Sequence, residues 1–218
     1  MHKTGIEVAE FLIDNGVMSI NFDKKQKDWI NRKHGIVSPI YLDCRILLKN
    51  PECLNYIMDR FRDLIEESSY GEYTIFGVET AGIPFASILA SVLHNPLGYI
   101  RKNYKSYGMT RLIEGLPPHN SKAIIIDDNC FTGITMVESI ESLKKECNIS
   151  TIVLFTIISL SDYSCVNHWA FFKQNKIPLF SLTDYKCLNK VALRKKLITK
   201  KQFEQLNMFY KDPFKYKW

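Results

Sequence analysis

The stretch AIIIDDNCFTG, Ala123 to Gly133, joins a run of branched apolar residues to two adjacent carboxylates and a short turn. A continuous apolar run of this kind is typical of a strand that is buried on both faces of a parallel sheet. In open α/β sheets, ligands bind beyond the carboxyl ends of the strands, where loops lead into the first turns of helices. Asp127 and Asp128 are therefore predicted to end a strand at a place where a ligand site is expected.

The turn after the two acids, NCFTGIT, is suited to hold an anion. Backbone N–H groups of residues 132–135 can converge on an anion, and the dipole of the following helix favours negative charge there. Thr132 and Thr135 add hydroxyl donors, and Gly133 lets the backbone approach a ligand closely. Carboxylates beside such a turn can accept hydrogen bonds from the vicinal hydroxyls of a sugar phosphate. The alternative is that the acids only cap the next helix, but a buried strand followed by Thr-Gly-x-Thr favours a ligand site.

Strands alternate with helices on both sides of this stretch, and this order is typical of an α/β domain. We find no internal repeat, low-complexity tract or linker rich in Gly, Pro or Ser. Helices are predicted at residues 4–16, 50–67, 84–93, 134–146 and 164–174. Two more helices are predicted after residue 184, with a break between them near residues 197–200. Strands are predicted at residues 73–78, 97–102, 122–127, 151–158 and 178–183. The pattern predicts one parallel sheet, buried on both faces, in a single domain over residues 1–218.

Composition limits the class of protein. The 218 residues, 46% hydrophobic and 24% charged, fit one globular domain. Six cysteines without a Cys-x-x-Cys pair are expected to be free thiols in a reducing, cytoplasmic setting, and no apolar run approaches the ~20 residues that cross a bilayer. The net charge of +6 favours anionic ligands without separating nucleic acid from a phosphorylated small molecule. Trp29, Trp169 and Trp218 are expected to be packing residues.

The acids and the following turn resemble the signature of the type I phosphoribosyltransferases, in which a Thr/Ser-Gly loop holds the 5-phosphate of phosphoribosyl pyrophosphate (PRPP). Further segments, in the same order along the chain, resemble the orotate phosphoribosyltransferases of this family: HGIVSPIYLDCR, GVETAGIPFA, RKNYKSYG followed by IEG, and SLTDYKCLNKVA with DPFKYKW. The resemblance covers nearly the whole chain. It implies a parallel sheet flanked by helices, with a small N-terminal hood formed by about residues 1–45 and part of the C-terminal region.

The resemblance also implies a role for each matching residue. Catalytic roles fall on Arg101, Lys105 and Asp128. The residues implied to bind PRPP are Glu79, Thr80, Arg101, Lys102, Lys105, Tyr107, Asp127, Asp128, Asn129, Cys130, Phe131, Thr132, Gly133, Ile134 and Thr135, and those implied to bind the base are Lys33, Tyr41 and Phe131. Mg²⁺ is the implied cofactor, held mainly by substrate oxygens rather than by direct protein ligands. The loop Arg101 to Gly108 is implied to act in trans within a homodimer, with no nucleic acid or membrane partner.

Three positions depart from the family pattern and leave the base open. Tyr107 stands where the family has a histidine, Phe131 where it has a base-contacting Thr or Ser, and Ala81 where many members have a lysine. The leading hypothesis is transfer of the phosphoribosyl group to orotate, which gives orotidine 5′-monophosphate for UMP synthesis. The alternatives are transfer to another base, or a non-catalytic ligand sensor or RNA-binding regulator on the same fold. Retention of the basic loop and the acid pair favours an enzyme.

Overall fold

The computed structural model describes residues 3–25, 29–31, 35–68, 72–104, 111–118, 120–160 and 167–218, and a central sheet organises them. The helices are α1 (Lys3–Asp14), α2 (Pro51–Ser68), α3 (Gly82–Val92), α4 (Ile134–Glu146), α5 (Asn167–Gln174), α6 (Tyr185–Arg194) and α7 (Lys200–Lys211), with a 3-10 helix at Cys44–Lys49. The strands are β1 (Met18–Ile20), β2 (Ile30–Asn31), β3 (Val37–Ser38), β4 (Ile40–Leu42), β5 (Thr74–Val78), β6 (Leu97–Ile100), β7 (Ile113–Glu114), β8 (Ser121–Cys130), β9 (Ile149–Ser159) and β10 (Leu179–Asp184).

The central sheet has the strand order β10-β9-β8-β5-β6-β7 within the described ranges. The first five strands are mutually parallel, as predicted, and β7 pairs antiparallel with β6 at one edge. The prediction of a wholly parallel sheet therefore missed β7, because a strand of two residues carries no periodicity. The strand predicted to end at residue 127 continues to Cys130, which pairs with Ser159.

Alternate residues of β8 pack on opposite faces of the sheet, as the period of two requires. Ala123 and Ile125 pack with α4 and α5, whereas Ile124 and Ile126 pack with α1, α2, α3, α6 and α7. All four side chains are buried, and each fully buried isoleucine contributes about 1.5–3 kcal/mol to the free energy of unfolding. The prediction of a sheet covered on both faces is confirmed.

Two small antiparallel sheets lie outside the central sheet: β1 pairs with β4, and β2 pairs with β3. The hood predicted for about residues 1–45 would include these strands, and it stays a prediction. Helix α1 lies against the edge strand β10, where the hydroxyl of Thr183 donates to the carbonyl of Gly5 at 2.7 Å. Among the described residues, the helices lack the combination of length and apolar composition that a membrane span requires.

The C-terminal residues fold back onto the N-terminal segment. The indole N–H of Trp218 donates to the carbonyl of Val37 at 3.0 Å. Its ring lies 5.0 Å from that of Trp29 and 6.0 Å from that of Phe22, each edge to face. Trp29 and Trp218 thus pack together, as expected for packing residues.

Candidate functional site

The carboxyl end of β8 forms the floor of a cleft of about 380 Å³. This volume lies within the range of small-molecule sites. The lining residues are Ile36, Tyr41, Leu42, Arg45, Ala81, Asp127, Asp128, Asn129, Cys130, Phe131, Thr132, Gly133, Thr135 and Met136. The structure therefore brings the two predicted acids, most of the predicted phosphate turn and Tyr41 into one cavity.

The two acids differ in their surroundings. Asp127 is 9% exposed, and one of its carboxylate oxygens accepts a hydrogen bond from the backbone N–H of Asp128 at 2.9 Å. Burial raises the pKa of Asp127 well above its ordinary value, and the charge of Asp128 raises it further. Burial also raises the pKa of Asp128, while Asp127 and the guanidinium of Arg45 act in the opposite direction. Carboxylates held in this way are suited to accept hydrogen bonds from ligand hydroxyls.

The turn between β8 and α4 ends at Gly133, which occupies the left-handed region with φ 82°. No side chain caps α4 at this residue. This turn lines the cleft beside the hydroxyl-bearing residues Thr132 and Thr135, and the first N–H groups of an α-helix have no partner within the helix. A phosphate would find backbone donors and a favourable helix dipole at this position.

Helix α3 approaches β8 closely because Gly82 has no side chain. A Cβ atom at Gly82 would collide with the carbonyl oxygen of Ile126 on β8. This contact places Ala81 in the cleft wall beside Asp127. Gly82 was not among the predicted site residues, although the motif GVETAGIPFA contains it.

Glu79 and Thr80 lie between β5 and α3, outside the cleft lining, and a cis peptide joins them. The Glu79 carboxylate accepts a hydrogen bond from the backbone N–H of Lys102 at 2.8 Å. Arg101, the first residue of the basic loop, is joined to the chain after the loop, since its backbone N–H donates to the carbonyl of Leu112 at 2.8 Å. The loop segment thus begins beside the motif that was predicted to bind PRPP with it.

Some of the predicted residues lie outside the cleft lining or outside the described residues. Arg101 and Lys102 are described but do not line the cleft, although the charge of Lys102 lowers the pKa of Asp127. Lys33, Lys105 and Tyr107 lie outside the described residues. Their roles stay predictions.

Phe131 is 9% exposed and belongs to an aromatic cluster with the last two helices. Its ring lies 5.1 Å from that of Tyr185 and 6.0 Å from that of Phe209. The side-chain amide of the neighbouring Asn129 lies 2.9 Å from the Tyr185 hydroxyl. Phe131 therefore has a packing role that the sequence analysis did not foresee, and its contact with the base stays a prediction.

Arg45 is the most informative lining residue that the sequence analysis did not assign. Its guanidinium donates to both carboxylate oxygens of Asp43, at 2.7 and 3.0 Å, and to the hydroxyl of Tyr41 at 3.1 Å. The signal was present in the motif HGIVSPIYLDCR, which places an acid two residues before this arginine.

Residues 44–165 match the family of the phosphoribosyl transferase domain, which covers more than half of the chain. The chain belongs to the phosphoribosyltransferase family. An orotate phosphoribosyltransferase of Bacillus pumilus (strain SAFR-032) is 32% identical to this phosphoribosyltransferase over 185 residues, 84% of this chain and 85% of the relative. The family and the transferase class predicted from the sequence are confirmed.

Solved structures show the same fold. The orotate phosphoribosyltransferase from Aeropyrum pernix superposes with a TM-score of 0.69 at 23% identity, covering 87% of this chain and 97% of that one. The adenine phosphoribosyltransferase from Saccharomyces cerevisiae superposes with a TM-score of 0.60 at 20% identity, covering 81% and 98%. Since enzymes named for different bases share this fold, the fold alone does not identify the base.

Proposed function

We propose that this phosphoribosyltransferase transfers the 5-phosphoribosyl group of PRPP to orotate, giving orotidine 5′-monophosphate and pyrophosphate in the synthesis of UMP. The observation that carries the proposal is the acid pair Asp127–Asp128 beside the uncapped N-terminus of α4, in a chain that is 32% identical to an orotate phosphoribosyltransferase. We place the reaction in the cytoplasm.

We assign different residues of the cleft to the 5-phosphate and to the ribose of PRPP. The 5-phosphate would accept hydrogen bonds from the turn at Thr132, Gly133 and Thr135, where backbone donors and the helix dipole favour an anion. The ribose hydroxyls would donate to Asp127 and Asp128. Ionised carboxylates beside the ring would also stabilise the positive charge that develops on the ribose in the transition state.

The leaving diphosphate gains negative charge as the bond to the anomeric carbon breaks. We assign Arg101, Lys102 and Lys105 to this charge, because cations that close over the diphosphate and exclude water lower the barrier. Arg101 and Lys102 do not line the cleft, so a movement of this loop or a loop from a second subunit is needed to bring these two cations to the diphosphate. We propose a homodimer whose loops act in trans.

Mg²⁺ is part of the proposal as a cofactor. Magnesium prefers oxygen ligands, and the diphosphate and ribose oxygens of PRPP would supply most of them, with the negative charge of Asp127 and Asp128 nearby. No group of three or more His, Cys, Asp or Glu side chains suited to a metal occurs in the described residues, so substrate oxygens would complete the coordination. When bound, the ion would offset the charge of the diphosphate.

A second candidate is transfer to another base, and the observation that favours it is Phe131. The apolar ring stands where orotate phosphoribosyltransferases offer a hydroxyl, and it packs against Tyr185 at 5.1 Å. A pocket wall built in this way has one hydrogen-bond donor fewer for a polar base.

The test follows the loss of orotate absorbance with Mg²⁺ and PRPP, alongside a panel of bases assayed for pyrophosphate release. We expect orotate to be consumed, and Asp128→Asn to lower kcat by about 100-fold or more because it removes charge at the ribose. The exposed Asp23→Asn is the control. If pyrophosphate is released with another base but not with orotate, while PRPP binds, the protein is a phosphoribosyltransferase for that other base and the proposal of orotate as substrate is wrong.

A further inference from the structure

Arg45 carries the only positively charged side chain among the described residues that line the cleft. It lies on the 3-10 helix Cys44–Lys49, directly after β4, and its side chain is 52% exposed. The cations assigned to the diphosphate, Arg101 and Lys102, are not part of this lining. An anion that enters the cleft therefore meets Arg45 independently of the basic loop.

The guanidinium is held in one orientation before any ligand binds. Asp43 accepts from Nε at 2.7 Å, from Nη2 at 3.0 Å and from the backbone N–H of Arg45 at 3.2 Å. The hydrogen bond from Arg45 lowers the pKa of Asp43, so both members of the pair are charged at neutral pH. A fixed, bidentate arginine loses little conformational freedom when it binds an anion.

One edge of the guanidinium is left for a ligand. Nε and Nη2 are engaged by Asp43 and by the hydroxyl of Tyr41, while Nη1 donates to no other residue in the described part of the chain. Nη1 carries two N–H donors, and an arginine N–H suits a carboxylate oxygen.

The position of Arg45 relates it to the base rather than to the sugar phosphate. The turn before α4 is assigned to the 5-phosphate, and the acid pair is assigned to the ribose. Arg45 instead contacts Tyr41, the described residue that is assigned to the base. A carboxylate on the base would otherwise be repelled by the nearby Asp128, whose carboxyl is close enough to Arg45 for the guanidinium to lower its pKa.

We propose that Arg45 is a specificity-determining residue that binds the ring carboxylate of the base, so that the enzyme selects an anionic pyrimidine over an uncharged one. This inference rests on the proposed transfer to orotate. Asp43 acts as a positioning residue, because it fixes the guanidinium without touching the base.

The experiment compares Arg45→Gln and Arg45→Lys with Arg62→Gln, a control on α2 that removes an exposed pair with Asp59. We measure KM for orotate and for PRPP, and Kd for orotidine 5′-monophosphate and for UMP, which differ only in the ring carboxylate. For Arg45→Gln we expect KM for orotate to rise about tenfold or more, and KM for PRPP to stay within about twofold. The preference for orotidine 5′-monophosphate over UMP should fall by the same factor as orotate binding. Arg45→Lys keeps the charge, so its KM for orotate should lie between those of the wild type and Arg45→Gln.

An unchanged KM for orotate in a folded Arg45 variant would overturn the proposal, as would a rise in the KM for PRPP alone, which would assign Arg45 to the diphosphate. Melting temperatures check folding, and Arg45→Lys carries the same test if Arg45→Gln does not fold. The two proposals fail differently. A wild-type enzyme that consumes no orotate removes the proposed function, whereas an active wild type with unaltered Arg45 variants removes only the role of Arg45.

Discussion

The carboxylate of Glu146, the last residue of α4, accepts hydrogen bonds from the backbone N–H of Leu112 at 3.0 Å and from that of Ile113 at 3.1 Å. Leu112 in turn accepts from the backbone N–H of Arg101 at 2.8 Å. The segment that leaves the sheet at Arg101 is therefore anchored, where it returns, to the same helix whose first turn forms the proposed phosphate site. One helix joins the two functional regions.

Glu146→Ala should weaken this anchor. Two half-buried N–H groups lose their acceptor, so we expect the free energy of unfolding to fall by about 1–3 kcal/mol. We expect kcat to fall more than the KM for PRPP rises, since the loop acts mainly in the closed state. Urea unfolding and steady-state kinetics measure both, with the exposed Glu141→Ala on the same helix as control. Wild-type turnover in Glu146→Ala would show that the anchor does not serve the loop.

The trans action of the loop is testable by mixing two inactive chains. Lys105→Ala should lower kcat by about 100-fold or more without changing the melting temperature, because a cation over the diphosphate acts on the transition state. In a mixture with Asp128→Asn, half of the dimers are mixed and each holds one intact site, so about a quarter of the wild-type activity should return. No recovery after demonstrated subunit exchange would mean that each site is built from one chain.

Gly133→Ala should damage both stability and PRPP binding. Gly133 has φ 82°, and a residue with a Cβ atom in this region costs about 1–2 kcal/mol. Gly16→Ala is a matched control, since Gly16 has φ 75° with open space around it and lies away from the cleft. Both variants should lower the melting temperature, but only Gly133→Ala should raise the KM for PRPP. Equal KM values in the two variants would contradict the phosphate site.

Asp127→Asn should stabilise the protein while it removes activity. Burial raises the pKa of Asp127 in the folded protein well above 3.8, its ordinary value. Folding is therefore favoured while this carboxyl is protonated, and that contribution is lost as the pH rises through the raised pKa. The melting temperature of Asp127→Asn should exceed that of the wild type at about pH 7.5, and the difference should shrink as the pH falls toward 4. A difference that is constant with pH would contradict the raised pKa.

The predictable part of this molecule is the part that periodicity encodes. The continuous apolar run at residues 123–126 and the helical spacing of α2 indicate which surfaces meet the core, and they correctly predicted the sheet and its covering helices. The acids and the phosphate turn were predictable because strand, turn and helix follow one another directly in the chain.

The rest depends on contacts between segments far apart in the sequence. Arg45 enters the cleft because its 3-10 helix packs near β8, and Phe131 is covered by Tyr185 and Phe209, which come more than fifty residues later. A glycine is needed at position 82 because α3 packs directly against the backbone of Ile126 on β8. No local pattern carries this information.

The packing of Trp218 on Trp29 gives the enzyme an optical reporter without any label. The hydrogen bond from Trp218 to Val37 ties one indole to the residue next to Ile36, which lines the cleft. Indole emission responds to the polarity around the ring, so a movement of the cleft wall at Ile36 on ligand binding would change the fluorescence of Trp218. With Trp169 replaced by phenylalanine, the signal would come only from Trp29 and Trp218, and a stopped-flow trace would time the movement of the wall against the release of pyrophosphate.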